Sequence, residues 1–247
     1  ADQAEDNLTL SLNVPQIKEC DASLQYSSHN LDPGESAPNS FEVENIGNTE
    51  WTVTANAQSL DGDDISGWVD FDSPLSRLLE EPGSSEDSHT FTFDVTPDDS
   101  LEAGTQVAIG IQGRAGSEIG CEKILTVTVG QEFGASMSLS KSRLSNVEPG
   151  TSGTLSIQIT NQGNGQETMA LGTSGVPPGW QVSFSQSTVT LGSSQSSNNK
   201  ETVSVDIFVP EDASAESDTV ISFTVGRGGG TTPYDSKDLT VSVAPRH

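Results

Sequence analysis

The chain has 247 residues, with Lys+Arg 10 against Asp+Glu 36 and a formal net charge of −26. So few cations exclude a nucleic-acid-binding surface, which meets phosphate with clustered Lys and Arg, and argue equally against docking on an anionic bilayer. No run approaches the ~18 apolar residues of a membrane-spanning helix, and residues 1–6 carry neither the basic nor the apolar region of a signal peptide.

Taken in chain order, residues 1–19 stand apart as an extra strand segment. Asn7-Leu8-Thr9-Leu10-Ser11-Leu12 alternates polar and apolar residues, the period of a half-buried strand. It has the same form as Ile124-Leu125-Thr126-Val127-Thr128-Val129 and Asp238-Leu239-Thr240-Val241-Ser242-Val243, each of which closes a series of strands. The segment therefore reads as a closing strand with no domain in front of it. Three readings stay open: it pairs within the first domain, it is the tail of an upstream domain, or it completes a sheet in another copy. In the last case Leu8, Leu10 and Leu12 set the register and the product is a filament. Asn7 heads the one N-x-S/T triplet and is a candidate glycosylation point in an exported chain.

Residues 20–130 and 131–247 repeat one pattern. Leu31-Asp32-Pro33-Gly34 recurs as Val147-Glu148-Pro149-Gly150, and Asn45-Ile46-Gly47-Asn48 as Asn161-Gln162-Gly163-Asn164, both at an offset of 116. Gly67-Trp68 recurs as Gly179-Trp180 at 112, and the closing strands match at 114. Between these markers, short runs such as Phe91, Phe93, Val95 and Val203, Val205, Ile207 alternate with Ser, Thr and Asp, and Gly, Pro and Asn clusters separate them. The pattern predicts an all-β protein, a tandem of two immunoglobulin-like antiparallel sandwiches of about seven strands each, joined by a short linker at 130–134. Pro74–Glu81 is the one stretch that reads as a short helical turn.

Cys20 precedes the first repeat-matched strand and Cys121 opens the last, so a disulfide between them is expected, and with it an oxidising, extracellular setting. Asp61, Asp63 and Asp64, with Asp70 and Asp72 nearby, supply hard oxygen ligands for Ca2+, although the spacing is not that of an EF-hand and solvated turn residues are the simpler reading. Trp68 and Trp180 match across the repeat and read as packing residues. Trp51 faces Glu167 at the 116 offset and is a candidate contact for a glycan or protein partner, against the plainer reading of a partly buried strand residue. His29, His89 and His247 have no spaced partners, and no nucleophile or phosphate-binding motif occurs, so no catalytic residue is expected. The acidity fits a halophilic, archaeal type of exported protein, in which salt screens carboxylate repulsion.

Val147-Glu148-Pro149-Gly150, Asn161-Gln162-Gly163-Asn164, Val176-Pro177-Pro178-Gly179-Trp180 and Val209-Pro210-Glu211-Asp212-Ala213 together resemble the immunoglobulin-like alpha-galactosidase-associated domains and the related bacterial and archaeal cell-adhesion-related domains. The first repeat keeps the Pro-Gly and N-x-G turns and Gly67-Trp68, lacks the Pro pair, and reads as carrying a longer acidic loop near 73–89. The resemblance implies an extracellular structural or adhesion module of a filament, surface layer or stalk, with other copies or neighbouring surface proteins as partners. An accessory carbohydrate- or protein-binding spacer of a secreted hydrolase or protease is the alternative.

Overall fold

The computed structural model describes residues 10–215, 218–228 and 230–245. Its elements are strands throughout. Two compact units result: one takes the chain up to Asp98 together with Gln106–Thr128, the other Asp99–Thr105 and the chain from Val129 onward.

In the first unit, β1 (Cys20–Leu24), β3 (Ala37–Asn45), β7 (Ser88–Val95) and β5 (Val69–Phe71) form one sheet in the order β1-β3-β7-β5. The facing sheet runs β2-β9-β8-β4-β6, from β2 (Ser28–Leu31), β9 (Glu118–Val129), β8 (Gln106–Ala115), β4 (Trp51–Ser59) and β6 (Ser76–Leu79). Each strand puts one face inward: Phe41 and Val43 of β3 and Phe91, Phe93 and Val95 of β7 are buried, with Glu42, Glu44 and Thr92 between them exposed. Phe41 lies directly across from Phe91, a cross-strand pair that fixes register, because a one-residue slip would turn the whole apolar set outward.

The second unit repeats the arrangement. One sheet is β10-β12-β16-β14, from β10 (Ala135–Leu139), β12 (Ser152–Asn161), β16 (Lys200–Phe208) and β14 (Gln181–Phe184). The other is β11-β18-β17-β13-β15, from β11 (Arg143–Val147), β18 (Pro233–Val243), β17 (Thr219–Arg227), β13 (Glu167–Ser174) and β15 (Thr188–Leu191). Nine strands per unit replace the expected seven, because two short edge strands were too brief to show a period. Nor is the pairing wholly antiparallel: β11 runs parallel to β18, with a register shift between Leu144 and Val147 where Asn146 adopts a φ of 55°.

Two local expectations are corrected. Ser76–Leu79 forms a strand rather than a helical turn, since β6 pairs with β4 and buries Leu79 opposite Trp51, and that pairing outweighs local helix preference. The acidic stretch near 73–89 is no insertion, because β5 to β7 and β14 to β16 both take 19 residues from start to start. The first repeat is longer elsewhere: β4 to β5 takes 18 residues against 14 from β13 to β14. The four extra residues fall in the turn holding Asp61-Gly62-Asp63-Asp64.

Candidate functional site

The repeated N-x-G turn is built on a buried asparagine. Asn161, with no exposure, donates from Nδ2 to the Gly165 carbonyl at 2.8 Å and the Gly192 carbonyl at 2.7 Å, and its Oδ1 accepts the Gly163 N–H at 2.8 Å. Asn45 does the same in the first unit, donating to the carbonyls of Thr49 and Glu80 and accepting the Gly47 N–H. One amide side chain therefore satisfies backbone groups of two separate loops, which the sheets leave unpaired.

The next asparagine of the motif holds the chain that enters each sandwich. Asn164 accepts the Glu132 N–H on Oδ1 at 2.8 Å and donates from Nδ2 to the Gly130 carbonyl at 2.9 Å. Asn48 accepts the Ile17 N–H at 2.7 Å and donates to the Pro15 carbonyl at 3.0 Å. One step further on, the Ile46 N–H donates to the Glu19 carbonyl and the Gln162 N–H to the Gly134 carbonyl. Between the two asparagines sits a glycine that must lack a side chain: a Cβ on Gly47 would strike the Ile17 carbonyl oxygen, and one on Gly163 the Glu132 carbonyl oxygen. The motif thus forms an entry clamp, the same in both units. Both asparagines stand plainly in the repeat; their partners do not, because those partners are backbone atoms of segments without regular structure.

Beside each clamp, first and last strands are tied by different chemistry. In the first unit Cys20 and Cys121 form the expected disulfide, with Cα atoms 5.2 Å apart. Trp51 packs next to it over Gly120, where a Cβ would lie 2.8 Å from the indole Cη2. The Trp51 Nε1–H donates to Asn45 Oδ1 at 3.0 Å. In the second unit Ala135 and Asp235 stand where the cysteines were, and the Met137 N–H donates to Asp235 Oδ2 at 2.8 Å. Burial acts to raise the Asp235 carboxyl, but bonds from Lys237, Met137 and Ser236 outweigh it and hold it below the usual range. Tyr234 replaces Gly120 and Glu167 replaces Trp51, so a large–small pair becomes a hydrogen-bonded pair: the Tyr234 hydroxyl donates to Glu167 Oε1 at 2.6 Å. Burial, followed by that bond, pushes the Tyr234 phenol up to about 12.

Trp51 is therefore not an exposed platform. It is 3% exposed, its ring packed by Gly120 and its one donor taken by Asn45, so a glycan has no face to stack on. Trp68 is buried, and Trp180 packs against the second core, as packing residues. Carboxylates of the acidic stretch accept bonds from within the unit: Asp61 Oδ2 from the Ala108 N–H of β8, Asp64 Oδ1 from the Ser66 N–H of the turn itself, and Asp72 Oδ2 from the Thr92 hydroxyl of β7. Bonds from Ser66 hold the Asp64 carboxyl below its ordinary value. Among the described residues, Asp61, Asp63 and Asp64 included, no three His, Cys, Asp or Glu side chains are grouped so as to hold a metal ion. Asn7 and Leu8 lie outside the described residues. Leu10 and Leu12 belong to no strand and are 88% and 84% exposed. No helix among the described residues is long and apolar enough to cross a membrane.

No family profile matches the chain, and no curated protein does. Solved structures similar to it include a Porphyromonas gingivalis W83 protein of unknown function, at 12% identity and a TM-score of 0.31, covering 91% of this chain and 99% of that one. Domains 4 and 5 of the S-layer protein SbsC align at 15% identity and a TM-score of 0.30, over 61% of this chain and 69% of theirs. Escherichia coli alpha-2-macroglobulin activated by porcine elastase aligns at 13% identity and a TM-score of 0.33, over 92% of this chain and 22% of that one. Likenesses this distant carry nothing about function. The class defined by the coordinates is a tandem of two nine-stranded β-sandwiches, each with an asparagine clamp on its incoming chain.

Proposed function

We propose that the chain is a non-catalytic structural segment of an extracellular surface assembly, built from sandwiches strung in series. The duplicated entry clamp carries this reading. Asn48 and Asn164 each fix the backbone that leads into a sandwich, an arrangement suited to holding the spacing of domains along the chain. The Cys20–Cys121 disulfide supports an oxidising compartment outside the cytoplasm. The charge of −26 supports a hydrated, self-repelling surface suited to high salt. Its partners are other copies or neighbouring surface proteins, met through the ends of the series.

Pulling single molecules from both ends tests the reading. The second sandwich should rupture in one discrete event that releases about 37 nm, from 109 residues at ~3.4 Å each. The first should release most of its length only after reduction, because the disulfide locks a span of 101 residues. Gradual extension without discrete events, or saturable binding of a glycan by the intact chain, would contradict it.

A further inference from the structure

We propose that residues 10–14 are the closing strand of another sandwich of this same repeat, placed ahead of β1 in the same polypeptide and lacking a closing strand of its own. The inference deepens the serial-sandwich reading and rests on it.

The register comes from the clamps rather than from likeness of sequence. Pro15 and Ile17 on Asn48 correspond to Gly130 and Glu132 on Asn164, an offset of 115 in both cases. Carried back through the chain, 115 sets Leu10 on Leu125, Leu12 on Val127 and Val14 on Val129, with Ser11 and Asn13 on Thr126 and Thr128. Those three counterparts are the inward face of β9, exposed by 0%, 0% and 2%. The end of β18 repeats the string with Leu239, Val241 and Val243, equally buried.

Leu10, Leu12 and Val14 keep the same apolar phase yet stand 88%, 84% and 62% exposed. Three apolar side chains in water, spaced with the period of a strand, mark a surface made to be covered. The internal repeat shows the setting such a string takes: β9 pairs along its edge with β8, Val107 opposite Val127 and Ile109 opposite Leu125, and its Leu125, Val127 and Val129 are buried in the sandwich core. A second observation agrees. Asn164 is buried, and its Nδ2 also donates to the Leu101 carbonyl, whereas Asn48 is exposed. Within this chain the seats are taken, since β9 and β18 already close both described sandwiches. A second copy therefore offers no vacancy, and a sandwich in line does.

The test is a fusion in which a second copy of residues 20–123 is joined to Thr9 of the full chain, so that Leu10 takes the place of Leu125. Amide hydrogen exchange at residues 10–14 should slow by about a thousandfold or more relative to the unfused chain, as expected for a strand that opens only with its domain. Leu12→Asp in the fusion should unfold the added sandwich and leave the other two intact. A companion fusion carries residues 125–129 in place of 10–14 and shows how the added sandwich behaves with its known strand.

If the companion folds while the first fusion leaves 10–14 exchanging freely, the assignment is overturned. If neither added sandwich folds, the in-line register is wrong and the proposal falls with it. Concentration-dependent protection of 10–14 in the unfused chain, with oligomers in the ultracentrifuge, would overturn it in favour of donation to a second copy. None of these results touches the pulling experiment, so failure here is separable from failure of the structural reading.

Discussion

Replacing Asn161 by Ala removes three hydrogen bonds of 2.7–2.8 Å from a fully buried site. Each is worth about 1–1.5 kcal/mol net, and the Gly165 and Gly192 carbonyls and the Gly163 N–H are left without that partner, so the loss should reach about 3–5 kcal/mol. That is a large part of the ~5–15 kcal/mol holding a typical domain together. Trp180 lies in the second sandwich and Trp51 and Trp68 in the first, so urea unfolding followed by fluorescence, with Trp180→Phe and Trp51→Phe/Trp68→Phe backgrounds, separates the two units. With a slope of ~1–3 kcal/mol per molar urea, the second midpoint should fall by one to several molar, about 2 M in the middle of the range, and the first should stay in place. Asn161→Asp keeps the acceptor but sets a carboxylate against two carbonyls, so its cost should ease on acidification, when the protonated acid regains one donor. A loss below ~1 kcal/mol for Asn161→Ala, or an equal shift in both units, would refute the role assigned to this side chain.

Reducing Cys20–Cys121 frees a 101-residue loop, so thiol treatment should destabilise the first sandwich by up to ~4–5 kcal/mol and spare the second, as read by the same titration. Gly163→Ala, whose Cβ meets the Glu132 carbonyl oxygen, should cost about 1–3 kcal/mol and weaken exchange protection at the Glu132 amide. The Tyr234 phenol is raised in the folded state to about 12, so the stability it contributes is complete below its unfolded value near 10 and is lost as pH climbs from there. Tyr234→Phe should abolish that alkaline decline in the second sandwich, observed as thermal midpoint against pH from about 9 to 12. Raising NaCl from ~0.1 M to ~1 M should lift both midpoints, since screening relieves the repulsion of a −26 chain.

The sandwiches and their duplication were legible in the sequence because period-2 alternation and paired turn motifs are local signals. The disulfide was legible from the placing of Cys20 and Cys121 on first and last strands. The edge strands were not: Ser76–Leu79 shows no alternation and is a strand only because β4 lies beside it. Trp51 was open to misreading because its counterpart, Glu167, shares no chemistry with it. The compensating change, Gly120 to Tyr234, lies far off in the chain and is visible only when both residues are brought together. The clamps were half legible: Asn48 and Asn164 stand out as a repeat, but a side chain that grips backbone leaves no mark on the sequence it grips.

The central claim is that each sandwich takes up its incoming chain through the asparagine clamp. Pulling the Asn164→Ala chain beside the parent tests it most directly. The force at which the second sandwich begins to extend should fall while the first sandwich's event keeps its force and length. Unchanged rupture force in Asn164→Ala would contradict the claim and leave the clamp a local turn with no part in carrying load.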